Sequence, residues 1–361
     1  PNKLKTAIKN AMDVIRSSET ADGFREHGTA GDIGGNDAGG DWPTKNWQAN
    51  SWGNGEEIYD AFFKNLLVKN NGCYLGCPIA CGRIADVKSG KFETPAHEGS
   101  EYESLSAFTA FVLNENVESA VHSTYLCNEY GIDTITAGAM IAFAMECFEE
   151  GIITEKDTDG MKLTFGNGPA QLAMLEKICR KEGLGAILAE GTRKAAQILG
   201  RGAEKFALEV KGLEIPAHDP RAHNFLALAY ATDNRGAIHT GAADPKIEGF
   251  DLLDMESVRF ATEGTAETVA RGQDYGGLLN SLVLCAFSHA GYAQFNSAIG
   301  FPGITSKHVT HWFNCTTGME TDFNSLLQSG ERSFTLRRLI NLKLGLTPDL
   351  DTLPPVSYTH L

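Results

Sequence analysis

Residues 134–150 read Thr134-Ile-Thr-Ala-Gly-Ala-Met-Ile-Ala-Phe-Ala-Met-Glu-Cys-Phe-Glu-Glu150, and residues 137–145 are the longest unbroken apolar run in the chain. A membrane-spanning helix needs about 18 consecutive apolar residues, so this run is too short to cross a bilayer. It therefore predicts a helix of a globular protein, and no other stretch of the chain predicts a membrane span.

Helical periodicity recurs along the chain and predicts a mainly α, multihelical fold. In the first helix the apolar residues recur at i, i+4, i+7, i+8 and i+11, and they are Leu4, Ile8, Ala11, Met12 and Ile15. We expect further helices over residues 56–68, 101–113, 119–130, 134–150, 169–181, 186–199, 223–232, 255–270, 277–290, 306–313 and 323–344. Signals for β-structure are short, as in residues 205–210. The Gly- and Trp-rich residues 27–55 predict a long ordered loop.

Two short stretches resemble each other and predict an internal duplication. Asn128-Glu-Tyr-Gly-Ile-Asp133 and Asn280-Ser-Leu-Val-Leu-Cys285 each carry a polar residue, three spacers, an aliphatic residue and a ligand-type residue. A boundary near residues 202–216 then divides the chain into two helical domains, 1–208 and 209–361. Because the chain starts inside helix-like sequence and residues 356–361 have no helical period, we expect a fragment with a foreign tail.

Charge and composition exclude several classes of protein. Hydrophobic residues make up 42% of the chain, charged residues 21%, and the formal net charge is −15. A negative protein does not attract phosphates, so we expect no nucleic-acid partner. Without a membrane segment or a leader peptide, we expect no membrane partner and a cytoplasmic location. The eight cysteines are too few for a disulfide scaffold.

The strongest local signal is Gly72-Cys73-Tyr-Leu-Gly-Cys77-Pro-Ile-Ala-Cys81-Gly-Arg83, in which three thiols can converge on one metal site. Pro78 suits the first position of a helix, with Cys77 as its cap and Cys81 in its opening turn. A four-cysteine site needs one more ligand from elsewhere in the chain, as iron–sulfur clusters often arrange. Zinc is the competing metal, and three unliganded core cysteines are the other alternative.

Two further stretches carry groups that can move protons. Pro95-Ala-His97-Glu98-Gly-Ser-Glu101-Tyr-Glu103 places carboxylates and an imidazole before an apolar helix, although Ser100 with Glu103 also fits a capping box. Ala217-His218-Asp219-Pro220-Arg221 precedes Asn234-Arg235-Gly-Ala-Ile-His239. Arg235 can bind phosphate and His239 can titrate near neutrality. The alternative is a solvated arginine and a core histidine.

Taken together and in this order, the motifs resemble the tungsten-containing aldehyde:ferredoxin oxidoreductases. The motifs that carry the resemblance are residues 73–83, Glu101-Tyr102-Glu103, residues 128–133, residues 234–239 and Leu284-Cys285, with further support from Asp41-Trp-Pro-Thr-Lys-Asn46-Trp and from residues 330–341. That family has an N-terminal β-rich domain followed by two helical domains. The resemblance implies that this chain contains the two helical domains and lacks the β-rich one.

The resemblance also implies a set of site residues. One [4Fe–4S] cluster would be held by Cys73, Cys77, Cys81 and Cys285. A bis-pterin cofactor with tungsten or molybdenum would lie against Asn128, Ile132, Asp133, Arg235, Asn280 and Leu284. Glu103 and His239 would be the acid/base pair. Magnesium, a homodimer, the missing N-terminal domain, a small aldehyde and ferredoxin or a similar electron acceptor complete the expected cofactors and partners.

The chain departs from the family pattern at four positions. Gly76 lengthens the first gap between cysteines to three residues, Asn128 and Asn280 stand where the family usually has Asp, and Val283 stands where it usually has Gly. A Glu-x-x-His motif is also absent from the sequence, so a dimer-bridging iron site is not expected.

The expected reaction is oxidation of an aldehyde to a carboxylic acid. Glu103 would take a proton from the attacking water, and His239 would hydrogen-bond the carbonyl oxygen. One alternative is a related tungstoenzyme such as the catalytic subunit of a benzoyl-CoA reductase, for which His97 and Glu98 beside Glu103 would make a more proton-rich site. The other is a helical module without catalysis, in which iron–sulfur serves as an electron relay or zinc as a structural ion.

Overall fold

The mainly α prediction is confirmed by the computed structural model, which describes residues 2–241, 259–289 and 303–358. Its helices are α1 (Asn2–Arg16), α2 (Glu19–His27), α3 (Ile33–Gly39), α4 (Gly55–Asn65), α5 (Tyr102–Phe108), α6 (Val117–Tyr130), α7 (Thr134–Glu149), α8 (Gly168–Arg180), α9 (Leu184–Leu188), α10 (Thr192–Leu199), α11 (Asn224–Thr232), α12 (Thr265–Leu282), α13 (Ser306–Thr317) and α14 (Phe323–Lys343). The strands are β1 (Leu67–Asn71), β2 (Gly82–Val87), β3 (Thr94–Glu98), β4 (Glu209–Val210) and β5 (Leu213–Glu214). None of these helices is both long and apolar enough to span a bilayer.

Helix α7 lies at the centre of the larger hydrophobic cluster. Its residues from Ala137 to Met145 are buried on all sides, as expected for a helix with so few polar positions. Asp133 starts the helix by accepting a hydrogen bond from the backbone N–H of Thr136 at 2.7 Å. At Gly138 a Cβ atom would come within 2.4 Å of the Ala107 carbonyl oxygen, so glycine lets α5 cross α7 closely.

Two hydrophobic clusters organise the described residues. The larger is built mainly from residues between Ala30 and Ala237. The smaller joins α1 and α2 to α12, α13 and α14, and includes Ile15, Ile79 and Leu279. The first two helices therefore pack with the last three, although they lie at opposite ends of the sequence. The domain boundary between residues 208 and 209 stays a prediction.

The cysteine-rich segment connects two strands, so the prediction that a helix begins at Pro78 is wrong. Strands β1, β2 and β3 form an antiparallel sheet in that order, and residues 72–81 link β1 to β2. A tight turn closes with a hydrogen bond from the Cys77 N–H to the Tyr74 carbonyl at 3.1 Å. Gly76 and Ala80 have φ values of +86° and +54°, which no right-handed helix accommodates.

Residues 27–55 are only partly a loop, which corrects the expectation for this segment. Residues 29–32 form a turn of 3₁₀ helix and α3 follows it. Gly55 permits α3 and α4 to lie close together, because a Cβ atom there would come within 2.9 Å of the Asp37 Cβ and 3.1 Å of the Ile33 carbonyl oxygen. The remainder is an ordered loop, as expected: the Trp42 and Trp47 side chains are 0% and 1% exposed.

Several predicted element bounds are also corrected. The expected helix over residues 101–113 ends at Phe108, and the one over 186–199 is split into α9 and α10. The expected helix over 56–68 ends at Asn65, where β1 takes over. Residues 205–210 contain the end of a 3₁₀ turn followed by β4. Parts of the helices expected over 255–270 and 277–290 are joined in α12, while residues 255–258 and 290 lie outside the described residues.

Candidate active site

The first of the two similar stretches forms a turn at the end of α6. Gly131 adopts a left-handed conformation with φ +67°, and its N–H donates to the Asn128 carbonyl at 3.4 Å. The N–H of Ile132 donates to the Cys127 carbonyl at 2.9 Å. These two bonds close the helix in the way that C-terminal caps usually do, and they place Asp133 at the start of α7.

The second stretch forms the same turn at the end of α12. Val283 has φ +56°, and its N–H donates to the Asn280 carbonyl at 3.2 Å. The N–H of Leu284 donates to the Leu279 carbonyl at 3.0 Å. The resemblance between the two sequence stretches therefore corresponds to one local structure that occurs twice, and the second turn delivers Cys285.

Five of the six expected pterin-contacting residues lie on these turns, and the sixth, Arg235, follows α11. The Asn128 side chain donates to the Glu98 carbonyl. Ile132 and Leu284 are half-buried and pack against the larger and the smaller hydrophobic cluster respectively. Arg235 is 45% exposed and lies 3.4 Å from the Asp233 carboxylate. Their polar and charged groups at exposed turns fit a polar cofactor with many hydrogen-bonding atoms.

Helix α2 links the three clustered cysteines to Cys285. The Arg25 guanidinium donates to the Pro78 carbonyl at 2.7 Å. On the same helix the Phe24 ring packs against the Phe287 ring, with centroids 4.7 Å apart. One helix therefore contacts both the loop between β1 and β2 and the segment that follows Cys285.

Electrostatic interactions also show that Cys285 approaches the other thiols. Burial first, and then the charges of Glu101, Cys285 and Cys77, together raise the pKa of Cys81 to about 12. The pKa of Cys285 is raised by its burial and then by the charges of Cys77 and Cys73. All four cysteines are free thiols. Four sulfur donors of this kind fit an iron–sulfur cluster, and they also fit zinc.

Glu103 is held in the first turn of α5 by a contact that the sequence did not predict. Glu101 is the residue that precedes the helix, and Thr29 Oγ1 donates to its carboxylate at 2.6 Å. The alternative interpretation of Ser100 and Glu103 as a capping box is wrong, because Glu101 and not Ser100 precedes the helix. Glu103 Oε2 instead accepts a hydrogen bond from the Ala217 N–H at 2.7 Å, which ties α5 to the segment before α11.

The other oxygen of Glu103 faces two histidines. Oε1 makes no hydrogen bond with the described residues, and it lies 3.2 Å from Nδ1 of His239 and 3.9 Å from Nε2 of His218. Only 15% of the Glu103 side chain is exposed. Burial raises the pKa of Glu103 to about 8, and burial lowers the pKa of His239 well below its ordinary value. The structure thus brings the expected acid/base pair together.

His218 is the site residue that sequence reasoning missed. Its Nδ1 lies 2.9 Å from the Asp41 carboxylate, and its ring stacks on Tyr102 with centroids 4.7 Å apart. The stretch around His218 was conspicuous in the sequence. However, no local spacing connects it to Asp41 or to Glu103, because each comes from a distant part of the chain.

A buried ion pair fixes the backbone that carries His218. The Arg221 guanidinium donates to the Asp219 carboxylate at 2.6 Å and 2.9 Å, and to the Trp47 carbonyl at 3.1 Å. The Asp219 N–H in turn donates to Asp41 Oδ1 at 2.7 Å. The Trp-rich loop and the segment before α11 therefore hold each other in place.

His97 and Glu98 make hydrogen bonds with residues of the sheet, and the more proton-rich centre expected with them stays a prediction. The His97 Nδ1 lies 3.0 Å from the Pro95 carbonyl oxygen. The Glu98 carboxylate accepts from the Asn71 side chain at 2.6 Å. Both residues belong to β3 and also contact α6, where the Tyr125 ring lies 5.3 Å from the His97 ring and the Asn128 side chain donates to the Glu98 carbonyl.

Comparisons with known proteins give the relatives of this chain. Residues 6–360 match the family described as aldehyde ferredoxin oxidoreductase, domains 2 and 3. A tungsten-containing aldehyde ferredoxin oxidoreductase of Thermococcus kodakarensis is 30% identical over 359 residues, which are 98% of this chain and 56% of the relative. The WOR-like subunit of an aliphatic sulfonate oxidoreductase of Pyrococcus furiosus is 33% identical over 259 residues, 69% of this chain and 40% of the relative.

A solved structure shows the same fold. A chain of the active-site complex of benzoyl coenzyme A reductase, in complex with 1,5-dienoyl-CoA, has a TM-score of 0.78 and 18% sequence identity. The match covers 99% of this chain and 59% of that chain. Nearly the whole chain (98%) matches these tungsten-containing relatives, but it spans only about half of their length, 56% in each of two cases.

Proposed function

The chain belongs to the aldehyde ferredoxin oxidoreductase family, and on that premise we propose that the whole protein oxidises an aldehyde to a carboxylic acid. The observation that carries the proposal is the buried Glu103 carboxylate, whose Oε1 lies 3.2 Å from Nδ1 of His239. A carboxyl group and an imidazole at this distance can together move protons at a reacting carbonyl.

The cofactors of the proposal are a tungsten bis-pterin and one [4Fe–4S] cluster. Two sets of residues would hold them: Cys73, Cys77, Cys81 and Cys285 for the cluster, and Asn128, Ile132, Asp133, Arg235, Asn280 and Leu284 for the pterins. When bound, these groups would supply a two-electron acceptor and a route for the electrons to ferredoxin or a similar protein. The protein supplies the positioning of substrate and the handling of protons.

Glu103 and His239 have different tasks. In its ionised form, whose share grows as the pH approaches the Glu103 pKa of about 8, the Glu103 carboxylate takes a proton from the water that adds to the aldehyde carbon. His239 is neutral at pH 7 because burial lowers its pKa well below the ordinary 6.5. A neutral imidazole carries one N–H, which donates to the carbonyl oxygen as negative charge develops there.

The test uses the full-length protein with aldehyde-dependent viologen reduction. We expect Glu103→Gln to lower kcat by at least about 100-fold, with unchanged tungsten and iron content. His122→Gln is the matched control, because His122 is a half-buried histidine of α6 outside the site. Full turnover by the Glu103 variant would remove this residue as the base.

Other substrates and the non-catalytic alternative are separated in the same preparation. An aromatic CoA thioester and an aliphatic sulfonate serve as competing substrates, and turnover of either without aldehyde turnover would reassign the reaction. Metal analysis addresses the remaining class. Iron without tungsten or molybdenum would indicate an electron relay, and zinc alone a structural module.

A further inference from the structure

The His218 side chain lies between the carboxyl groups of Asp41 and Glu103. Asp41 Oδ2 lies 2.9 Å from His218 Nδ1, and His218 Nε2 lies 3.9 Å from Glu103 Oε1. The side chains of Asp41 and His218 are only 3% and 6% exposed. The imidazole therefore lies between two carboxyl groups, with one ring nitrogen toward each.

The surroundings fix which nitrogen faces which carboxyl. Asp41 Oδ1 accepts the Asp219 N–H at 2.7 Å, which leaves Oδ2 for the His218 Nδ1. Stacking on Tyr102, at an interplanar angle of 18°, sets the plane of the imidazole ring. The hydroxyl of Tyr230 donates to the His218 carbonyl at 3.0 Å. The remaining titratable groups around the imidazole are Asp219, His223 and His239.

We propose that His218 relays protons between Glu103 and Asp41 by exchanging its two neutral tautomers. In the forward direction the Glu103 carboxyl gives its proton to Nε2 while Nδ1 gives its own proton to the Asp41 carboxylate. One O–H and one N–H bond break, one N–H and one O–H bond form, and no electrons move. His218 and Asp41 act through Glu103 and are positioning residues in this sense.

The relay rests on the proposed function, because that reaction releases more protons than the Glu103 carboxylate alone can accept. Oxidation of an aldehyde with water yields a carboxylic acid, two electrons and two protons, whereas one carboxylate takes up one proton. Burial raises the pKa of Glu103 to about 8 and the pKa of Asp41 well above its ordinary value, so burial favours the protonated form of both carboxyl groups. Burial lowers the pKa of His218 to about 3, which favours exchange of neutral tautomers over a charged imidazole.

The separation of 3.9 Å between Nε2 and Oε1 is longer than a hydrogen bond. Catalytic hydrogen bonds are often long before substrate binds and shorten in the reacting complex. One bridging water would close this gap while Oε2 keeps its hydrogen bond from the Ala217 N–H. The relay therefore requires no movement of α5 or of the segment that carries His218.

The first experiment reads the tautomer of His218 without turnover. Full-length protein labelled with ¹⁵N-histidine is studied by solid-state NMR, and the signals lost in His218→Gln assign the residue. We expect both neutral tautomers at neutral pH in the wild type, and a single tautomer in Glu103→Gln and in Asp41→Asn. A single tautomer in the wild type, or a charged imidazole, would overturn the relay.

The second experiment measures the consequence for catalysis. We expect His218→Gln to lower kcat at least about 10-fold with an unchanged KM for aldehyde, and imidazole to restore part of the activity of His218→Ala. His122→Gln again serves as the control. A wild-type rate for His218→Gln would overturn the relay, as would a loss of rate that follows only from lost tungsten.

The two proposals fail in different ways. A wild-type protein that turns over no aldehyde counts against the proposed function, and the NMR result stays interpretable because it needs no turnover. A wild-type protein that oxidises aldehyde but shows one tautomer counts against the relay alone.

Discussion

Cys285 is the residue on which the electron-transfer side of the proposal depends. It comes from the turn after α12, far in sequence from Cys73, Cys77 and Cys81, yet it interacts electrostatically with all three. A cluster held by three thiolates loses iron far more readily than one held by four.

We therefore predict that Cys285→Ser lowers the iron content of the full-length protein and its visible cluster absorbance by more than half. Cys179→Ser is the matched control, since Cys179 is a half-buried free thiol of α8 away from the four. Iron content and absorbance together give the readout. Equal losses in both variants would mean that Cys285 is not a ligand.

The Asp219–Arg221 pair gives a prediction about stability. The two side chains are 0% and 4% exposed, and Arg221 donates twice to Asp219. Removing one partner leaves a buried charge without compensation. We predict that Asp219→Ala destabilises the protein by about 3–5 kcal/mol, measured as a lowered denaturant midpoint.

A surface pair provides the contrast for that experiment. Asp60 and Lys64 are separated by one turn of α4, and their side chains are 52% and 65% exposed. Solvent-exposed pairs at this spacing contribute about 0.3–0.5 kcal/mol. Asp60→Ala should therefore leave the midpoint nearly unchanged, and a similar loss in both variants would show that burial is not the cause.

At the scale of elements, the two turns at the ends of α6 and α12 carry different residues at the position with positive φ. Gly131 and Val283 both have positive φ, at +67° and +56°, but only glycine adopts this conformation without a steric cost. The Val283 side chain is 90% exposed, so replacing it removes little packing.

We predict that Val283→Gly stabilises the protein by about 1 kcal/mol and raises its thermal midpoint, because the backbone strain is relieved. Gly131→Ala should destabilise it by about the same amount, since a Cβ atom at Gly131 contacts nothing within 4 Å and only the strain is added. A lower thermal midpoint for Val283→Gly would contradict the prediction that backbone strain at this position costs stability.

Element prediction from sequence succeeded where periodicity was long and failed where tertiary contacts decided. The helix over residues 134–150 has a strong apolar pattern and is found as α7. The loop between β1 and β2 contains Cys77-Pro78, which resembles a helix start. It does not form one, because strand pairing at both of its ends and left-handed residues within it set its path.

At the scale of the whole molecule, the buried carboxyl group makes stability depend on pH. The pKa of Glu103 is about 8 in the folded protein against an ordinary value of 4.5. Between these values the folded state holds a proton that the unfolded state has lost, so stability falls as pH rises and levels off above about 8. Buried His218, with a pKa of about 3, acts in the opposite direction but only below pH 6.5.

We predict that unfolding free energy falls by on the order of 1–2 kcal/mol between pH 6.5 and 8. The unfolding of the full-length protein at a series of pH values provides the measurement. Glu103→Gln should remove most of this fall, since its side chain does not titrate. A slope that is the same in the variant would mean that other groups, such as Asp41, control it.

The amino-acid sequence was enough to predict the fold class and to single out the three clustered cysteines, because helical periodicity and short motifs are local properties, whereas Cys285 and the pair of Glu103 and His239 came from the resemblance to a family. Only the folded structure reveals that His218 lies between Asp41 and Glu103. It likewise reveals that α1 and α2 pack with α12, α13 and α14. The physical reason is that such contacts join segments far apart in the chain. Their burial and pKa values come from neighbours that no local spacing specifies.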